Sequence, residues 1–167
     1  MKKGLYLGIS VGLLVVAGAL AALFSGVFSS SSGASFTATL KGAEEVPPVN
    51  TLAQGDAVFT LSADGATLTY KVTVSNINDA FASHIHLAAA GVNGPVVVGL
   101  FAGVKAGRFD GILAEGTVTA ANLQGLLAGM TMDRLVAEMK AGNTYVNVHT
   151  TANRGGEIRG QIRQVVP

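Results

Sequence analysis

The chain has 167 residues, a net charge of +1 and no cysteine, so a disulfide framework and a lipoprotein thioester are both excluded. The basic residues form no large cluster, which argues against a nucleic-acid partner. The 22 glycines, together with many threonines and valines, favour strands joined by tight turns over a helical bundle.

The N-terminal part of the chain differs in composition from the rest. Lys2 and Lys3 precede an uncharged apolar run over residues 5–28, and a serine-rich tether follows. We expect residues 1–34 to be either a cleaved signal peptide or an uncleaved membrane anchor, because about 20 apolar residues are enough to span a bilayer. The basic start predicts export of residues 35–167 to the periplasm or the extracellular space, as one domain.

Alternation of polar and apolar residues, and a continuous apolar run at residues 96–101, predict a series of short β-strands. They cover residues 35–40, 55–61, 66–74, 83–87, 96–101, 111–118, 145–149 and 157–162. Asp64 and Gly65 mark a hairpin turn between the second and third of them. Residues 76–80, 88–95 and 103–107 are expected to be turns or loops, because glycine and asparagine tolerate positive φ.

Two segments depart from the strand pattern. Pro47 and Pro48 predict an extended edge segment, on which Glu44 and Glu45 are exposed charges. Between residues 120 and 141 the apolar residues recur at helical spacing, which predicts one or two short helices over the end or edge of the sheet.

The three histidines of the chain are the main chemical signal. His84 and His86 stand two residues apart in a predicted strand, so their imidazoles point to the same face. His149 lies in a second alternating run, and a fold that brings the two strands together gathers three ligands suited to copper or zinc. Alternatively, the imidazoles hydrogen-bond to neighbouring side chains and loop carbonyls and have a structural role.

Three further residues are expected to lie around the histidines and support them. Glu157 is a candidate acceptor for an imidazole N–H, and Asn147 and Arg159 lie beside it in the predicted C-terminal hairpin. The alternative for Glu157 and Arg159 is an exposed ion pair worth about 0 to 1 kcal/mol. The candidates for a fourth metal ligand are water, Glu157 and a methionine.

Several sequence blocks occur in a fixed order along the chain. They are FTATL at residues 36–40 with GAEEVPP at 42–48, HIH at 84–86 with GVNGPVV at 91–97, and YVNVHT at 145–150 with GGEIRGQ at 155–161. These blocks resemble the CHRD domain, a family named for its occurrence in chordin and found in exported bacterial proteins. The resemblance implies an all-β, immunoglobulin-like or superoxide-dismutase-like antiparallel β-sandwich. The residue patterns add one or two short helices and, outside the resemblance, an N-terminal hydrophobic helix. It implies little about activity.

The sequence therefore favours an exported CHRD-type protein that binds a transition metal, copper before zinc, through three histidines. Two other functions stay open: a cell-envelope interaction module with an unidentified envelope protein as partner, and, ranked last, a metal-dependent redox enzyme. Superoxide dismutation is disfavoured because the bridging histidine, the fourth copper histidine and the cysteine of the dismutase pattern are missing. The membrane is a further partner if the apolar N-terminal run is retained.

Overall fold

The computed structural model describes Met1 and residues 33–166. The predicted signal peptide or anchor, including its hydrophobic helix, lies almost entirely outside the described residues. Within residues 33–166, no helix is both long enough and apolar enough to cross a membrane.

The described chain folds into seven strands and one α-helix. They are β1 (Ser35–Lys41), β2 (Gln54–Leu61), β3 (Leu68–Leu87), β4 (Val96–Val118), α1 (Met132–Lys140), β5 (Thr144–Thr150), β6 (Ile158–Gln161) and β7 (Arg163–Val165). Short 3₁₀ helices cover Gly42–Glu44, Ala120–Asn122 and Gly125–Leu127. The all-β class implied by the resemblance is confirmed.

The strands pair antiparallel throughout and form one sheet of barrel-like arrangement. Their order is β2-β1-β6-β5-β3-β4, with a further pairing between β2 and β3 and with β7 paired to β1. In β1, β2 and the first part of β3, one face is apolar and fills the interior, as the alternation predicted, whereas β7 is exposed along its length. The buried core includes Phe36, Phe59, Val72, Ile85, Val146 and Ile158.

Strands β3 and β4 are much longer than predicted. The turns expected at residues 76–80 and 103–107 are wrong, because both segments continue as paired strand with several register shifts. Asn76 and Asp79 have positive φ values of 55° and 50°, which bend β3 without ending it. Before the bend β3 pairs with β2, and after it β3 pairs with β5. The bend therefore brings the histidine half of β3 beside β5.

The helical region is confirmed in part. Helix α1 has Thr131 at its N-cap position and buries Leu135, Val136 and Met139 on one face. The earlier half of the segment forms two 3₁₀ helices instead of an α-helix.

The segment around the two prolines is not an exposed edge strand. Residues Gly42–Glu44 form a 3₁₀ helix, and Glu45 is only 5% exposed. The prediction that Glu45 is an exposed charge is therefore wrong, because its side chain packs against Gly156.

Candidate metal centre

Strands β3, β5 and β6 carry a polar face on the side opposite the core. In the β3–β5 register, His84 lies opposite Asn147 and His86 lies opposite Tyr145. The residues between them point the other way and join the apolar core, as period-two alternation requires. The polar face is thus fixed by the same register that builds the hydrophobic interior.

The three imidazoles converge on this polar face. The Nδ1 atom of His84 lies 3.1 Å from the Nε2 atom of His149, although the residues are 65 positions apart in sequence. One ring nitrogen from each of His84, His86 and His149 lies within 4.8 Å of the others. The structure therefore brings together the three ligands that the sequence singled out.

Two of the imidazoles are oriented by backbone carbonyls. The Nδ1 atom of His86 lies 2.8 Å from the Gly94 oxygen, and the Nδ1 atom of His149 lies 2.9 Å from the Arg154 oxygen. A carbonyl only accepts, so both Nδ1 atoms carry the proton and both Nε2 atoms keep a lone pair. The Nε2 atom of His86 is buried and has no hydrogen-bond partner. Such an oriented lone pair is what a metal ion requires.

The nitrogen positions suit a single ion after a small contraction. Two nitrogens 3.1 Å apart, each about 2.0 to 2.1 Å from an ion, subtend an angle of about 98° at that ion. Nitrogens as far apart as 4.8 Å must close to about 4.2 Å or less to share one ion. A side-chain movement of about 0.6 Å or more thus separates this arrangement from a coordinated one.

Burial keeps the imidazoles neutral. It lowers the pKa of His84 to about 4, with smaller contributions from the neighbouring His149 and His86. Burial also lowers the pKa of His86 and of His149, against the opposing hydrogen bonds to Gly94 and Arg154. Neutral imidazole is the form that binds a metal ion, so all three rings are available near neutral pH.

The loop between β3 and β4, residues 88–95, covers the polar face. The Arg159 side chain, on β6, donates to the Val92 oxygen at 2.8 Å and to Asn93 Oδ1 at 3.1 Å. Gly94, which orients one imidazole, belongs to the same loop. Strand β6 thus holds in place the loop on which that imidazole depends.

Glu157 makes its hydrogen bonds away from the imidazoles. Its carboxylate accepts from the side chains of Thr51, Thr150 and Asn153. These bonds hold the turn that presents the Arg154 carbonyl to His149, so any support for the ligand is indirect. The alternative of an exposed ion pair with Arg159 is wrong: both side chains are buried, and no ion pair joins them among the described residues.

Tyr145 is a site residue that the sequence reasoning missed. Its ring stacks on that of His86, with centroids 4.8 Å apart and planes 9° apart. The guanidinium carbon of Arg159 lies 3.4 Å from the Tyr145 ring centroid. The only sequence signal was alternation, which places Tyr145 on the same strand face as Asn147 and His149. Asn147 is buried there, and its Oδ1 atom has no hydrogen-bond partner.

The methionines do not add a sulfur ligand to this arrangement. Met132 and Met139 belong to the hydrophobic core, and Met130 is an exposed residue that lines a separate surface cavity beside Asp64 and Gly65. Their packing accounts for them without a metal.

Residues 36–162 match a family model described as the CHRD domain. The matched segment includes all three histidines and the loop that covers them. A search of curated proteins and a search of solved structures gave no match. The resemblance identified from the sequence blocks is confirmed.

Proposed function

Because the chain belongs to the CHRD domain family, whose β-scaffold here carries converging imidazoles, we propose that it binds one transition-metal ion through His84, His86 and His149. The observation that carries this proposal is the 3.1 Å approach of His84 Nδ1 to His149 Nε2. The unpartnered, buried Nε2 atom of His86 supports it. Carrying or buffering the ion is the activity that follows.

Copper is the ion we propose, with zinc as the alternative. The ligands are three nitrogen atoms, and imidazole suits both metals. For a given nitrogen site, copper(II) binds more tightly than zinc in the order of divalent metal affinities. Within the described residues, the group that could hold the ion consists of three neutral imidazoles, without a thiolate or carboxylate. The ligands therefore leave the ion its full positive charge.

A structural role is the second candidate, in which the domain is an interaction module of the cell envelope. Each imidazole already has a hydrogen bond within the protein: His84 to His149, His86 to Gly94, and His149 to Arg154. In this role the histidines fix the covering loop and the 150–156 turn, and no ion is needed.

Metal analysis of the full-length chain, purified without a polyhistidine tag, separates these functions. We expect about one copper per chain after dialysis against copper(II), and loss of that copper in His84→Ala and His149→Ala. Glu115→Gln removes an exposed carboxylate from β4 and serves as the control that keeps its copper. Metal-free wild-type protein whose melting temperature does not change on copper addition would leave only the structural role.

We also propose that the protein is exported and, if the apolar run is retained, attached to the membrane. The support is the sequence pattern of Lys2 and Lys3 followed by the uncharged run over residues 5–28. Cell fractionation with mass determination of the N-terminus tests this. Unprocessed protein in the cytoplasmic fraction would contradict it.

A further inference from the structure

We infer that Arg159 biases the three-histidine centre toward a monovalent ion, copper(I), and that Arg159 and Tyr145 are positioning residues for His86. This inference rests on the proposed metal site and goes beyond it, because it assigns the oxidation state that the site prefers and the side chains responsible.

The geometry is a stack across three adjacent strands. Strand β5 lies between β3 and β6, so the Tyr145 ring has His86 on one side and Arg159 on the other. The ring is nearly parallel to His86, and the guanidinium carbon of Arg159 lies 3.4 Å from its centroid. A guanidinium at this position is attracted by the electron-rich face of the ring. The charge is therefore held one aromatic ring away from a proposed ligand.

Tyr145 also contacts the loop that orients His86. Its hydroxyl oxygen accepts from the Gly94 N–H at 3.2 Å, and the Gly94 carbonyl accepts from His86 Nδ1. Tyr145 thus restrains the imidazole twice, by stacking on its plane and by holding the carbonyl that fixes its tautomer. Arg159 holds the same loop through Val92 and Asn93.

The charge of Arg159 is not neutralised by an ion pair. The residue is 2% exposed, and the ion pairs of the described residues do not include it. Its hydrogen-bond acceptors are the uncharged oxygens of Ala89, Val92 and Asn93. Glu45 is a buried carboxyl that this charge reaches, but burial raises its pKa to about 7, so below that pH it holds its proton and does not compensate the guanidinium. A buried, uncompensated charge acts on its surroundings with little screening by salt.

This charge discriminates between ions of different valence. The three neutral imidazoles leave the centre at +1 with copper(I) and at +2 with copper(II) or zinc. A fixed positive charge repels the divalent ion twice as strongly as the monovalent one. At a separation of about 10 Å inside a protein, one unit of charge changes the ratio of the two affinities on the order of tenfold.

Two variants and one control test the inference on the full-length chain. Copper(I) affinity is measured anaerobically by competition with bicinchoninate, and copper(II) affinity by competition with glycine. We expect Arg159→Gln to lower the ratio of copper(I) to copper(II) affinity on the order of tenfold. Arg134→Gln removes an equal charge from α1, where Arg134 is ion-paired to Glu138, and should leave the ratio unchanged.

Asn93→Asp keeps the experiment decisive if Arg159→Gln does not fold. It places a carboxylate where Arg159 already donates, at 3.1 Å, and so neutralises the guanidinium with little change of shape. We expect it to lower the ratio in the same direction. If wild-type protein binds copper and the folded variants keep its ratio, the inference is overturned and the metal site stands. If wild-type protein binds no copper in either state, both are overturned.

Discussion

The Nδ1 atom of His84 and the Nε2 atom of His149 lie 3.1 Å apart, and the Nδ1 proton of His149 is donated to the Arg154 carbonyl. His149 Nε2 is therefore the acceptor, and His84 is the donor in the metal-free protein. A metal ion that takes both nitrogens replaces this hydrogen bond and moves the His84 proton to its Nε2 atom. Metal uptake is thus linked to a change of tautomer at one residue.

Metal addition should stabilise the folded chain. At a free copper concentration 100 times the dissociation constant, we expect the free energy of unfolding to rise by about 2.7 kcal/mol, because the ion binds the folded state. Thermal unfolding followed by circular dichroism measures this rise. His149→Ala should show none, and an equal rise in that variant would contradict binding at the three histidines.

Glu157→Gln should weaken both the fold and the metal site. The change places an amide NH₂ group against hydroxyl and amide donors, so we expect a loss of about 1 to 3 kcal/mol in urea unfolding. Because the turn that presents the Arg154 carbonyl loosens, copper affinity should fall about tenfold. The exposed Glu115→Gln is the matched control, expected within about 0.5 kcal/mol of wild type. Unchanged copper affinity would show that Glu157 supports the fold alone.

Glu45 should make stability depend on pH. Burial raises the pKa of this carboxyl to about 7, against the opposing charge of Arg159. The folded state then holds the proton more tightly than the unfolded state, whose pKa is near 4.5, so Glu45 costs stability as pH rises from about 4.5 to 7. We expect Glu45→Gln to gain about 1 to 3 kcal/mol relative to wild type between pH 5 and pH 8.

The histidines also make stability depend on pH, but in the opposite direction, so Glu45→Gln has to be compared with wild type at each pH. Their lowered pKa values mean that the unfolded state takes up protons first, so they cost stability as pH falls below about 6.5. Urea unfolding of both proteins at each pH cancels this contribution. A difference between them that does not change with pH would contradict the raised pKa of Glu45.

Gly156→Ala and Gly155→Ala form a matched pair. Gly156 has a φ of +136°, and a Cβ there would lie 2.3 Å from Glu45 Oε1, whereas a Cβ at Gly155 meets nothing within 4 Å. We expect the first change to cost about 2 to 4 kcal/mol and the second less than about 1 kcal/mol. Glu45→Ala in the Gly156→Ala background should recover the part due to collision and leave the backbone strain. Equal unfolding free energies for the two single variants would contradict this close contact.

The strands were largely predictable because period-two alternation survives in the sequence wherever one face meets the core. The continuity of β3 was not. Asn76 and Asp79 are residue types that are common in turns. Only the continued pairing with β4 shows that their positive φ values bend β3 instead of ending it. Local sequence does not distinguish a bulge from a turn, because both use the same residues.

The convergence of the histidines was predictable in part. The spacing of His84 and His86 placed them on one face, and the alternating run around His149 suggested a second strand, but the register between β3 and β5 is a long-range property. For the same reason Tyr145 could not be recognised, since its role depends on lying between His86 and Arg159. The prolines that follow Glu45 predict a surface position, whereas its burial depends on Gly156, over a hundred positions later.

The covering loop is held by residues that are synthesised much later than the loop itself. Arg159 and Gln161 hold residues 66 to 73 positions earlier in the chain. His84 and His86 are therefore synthesised long before β6, the strand that holds the loop beside them. A nascent chain that ends before residue 158 carries all three imidazoles without these contacts, so maturation of the centre waits for β6 to dock.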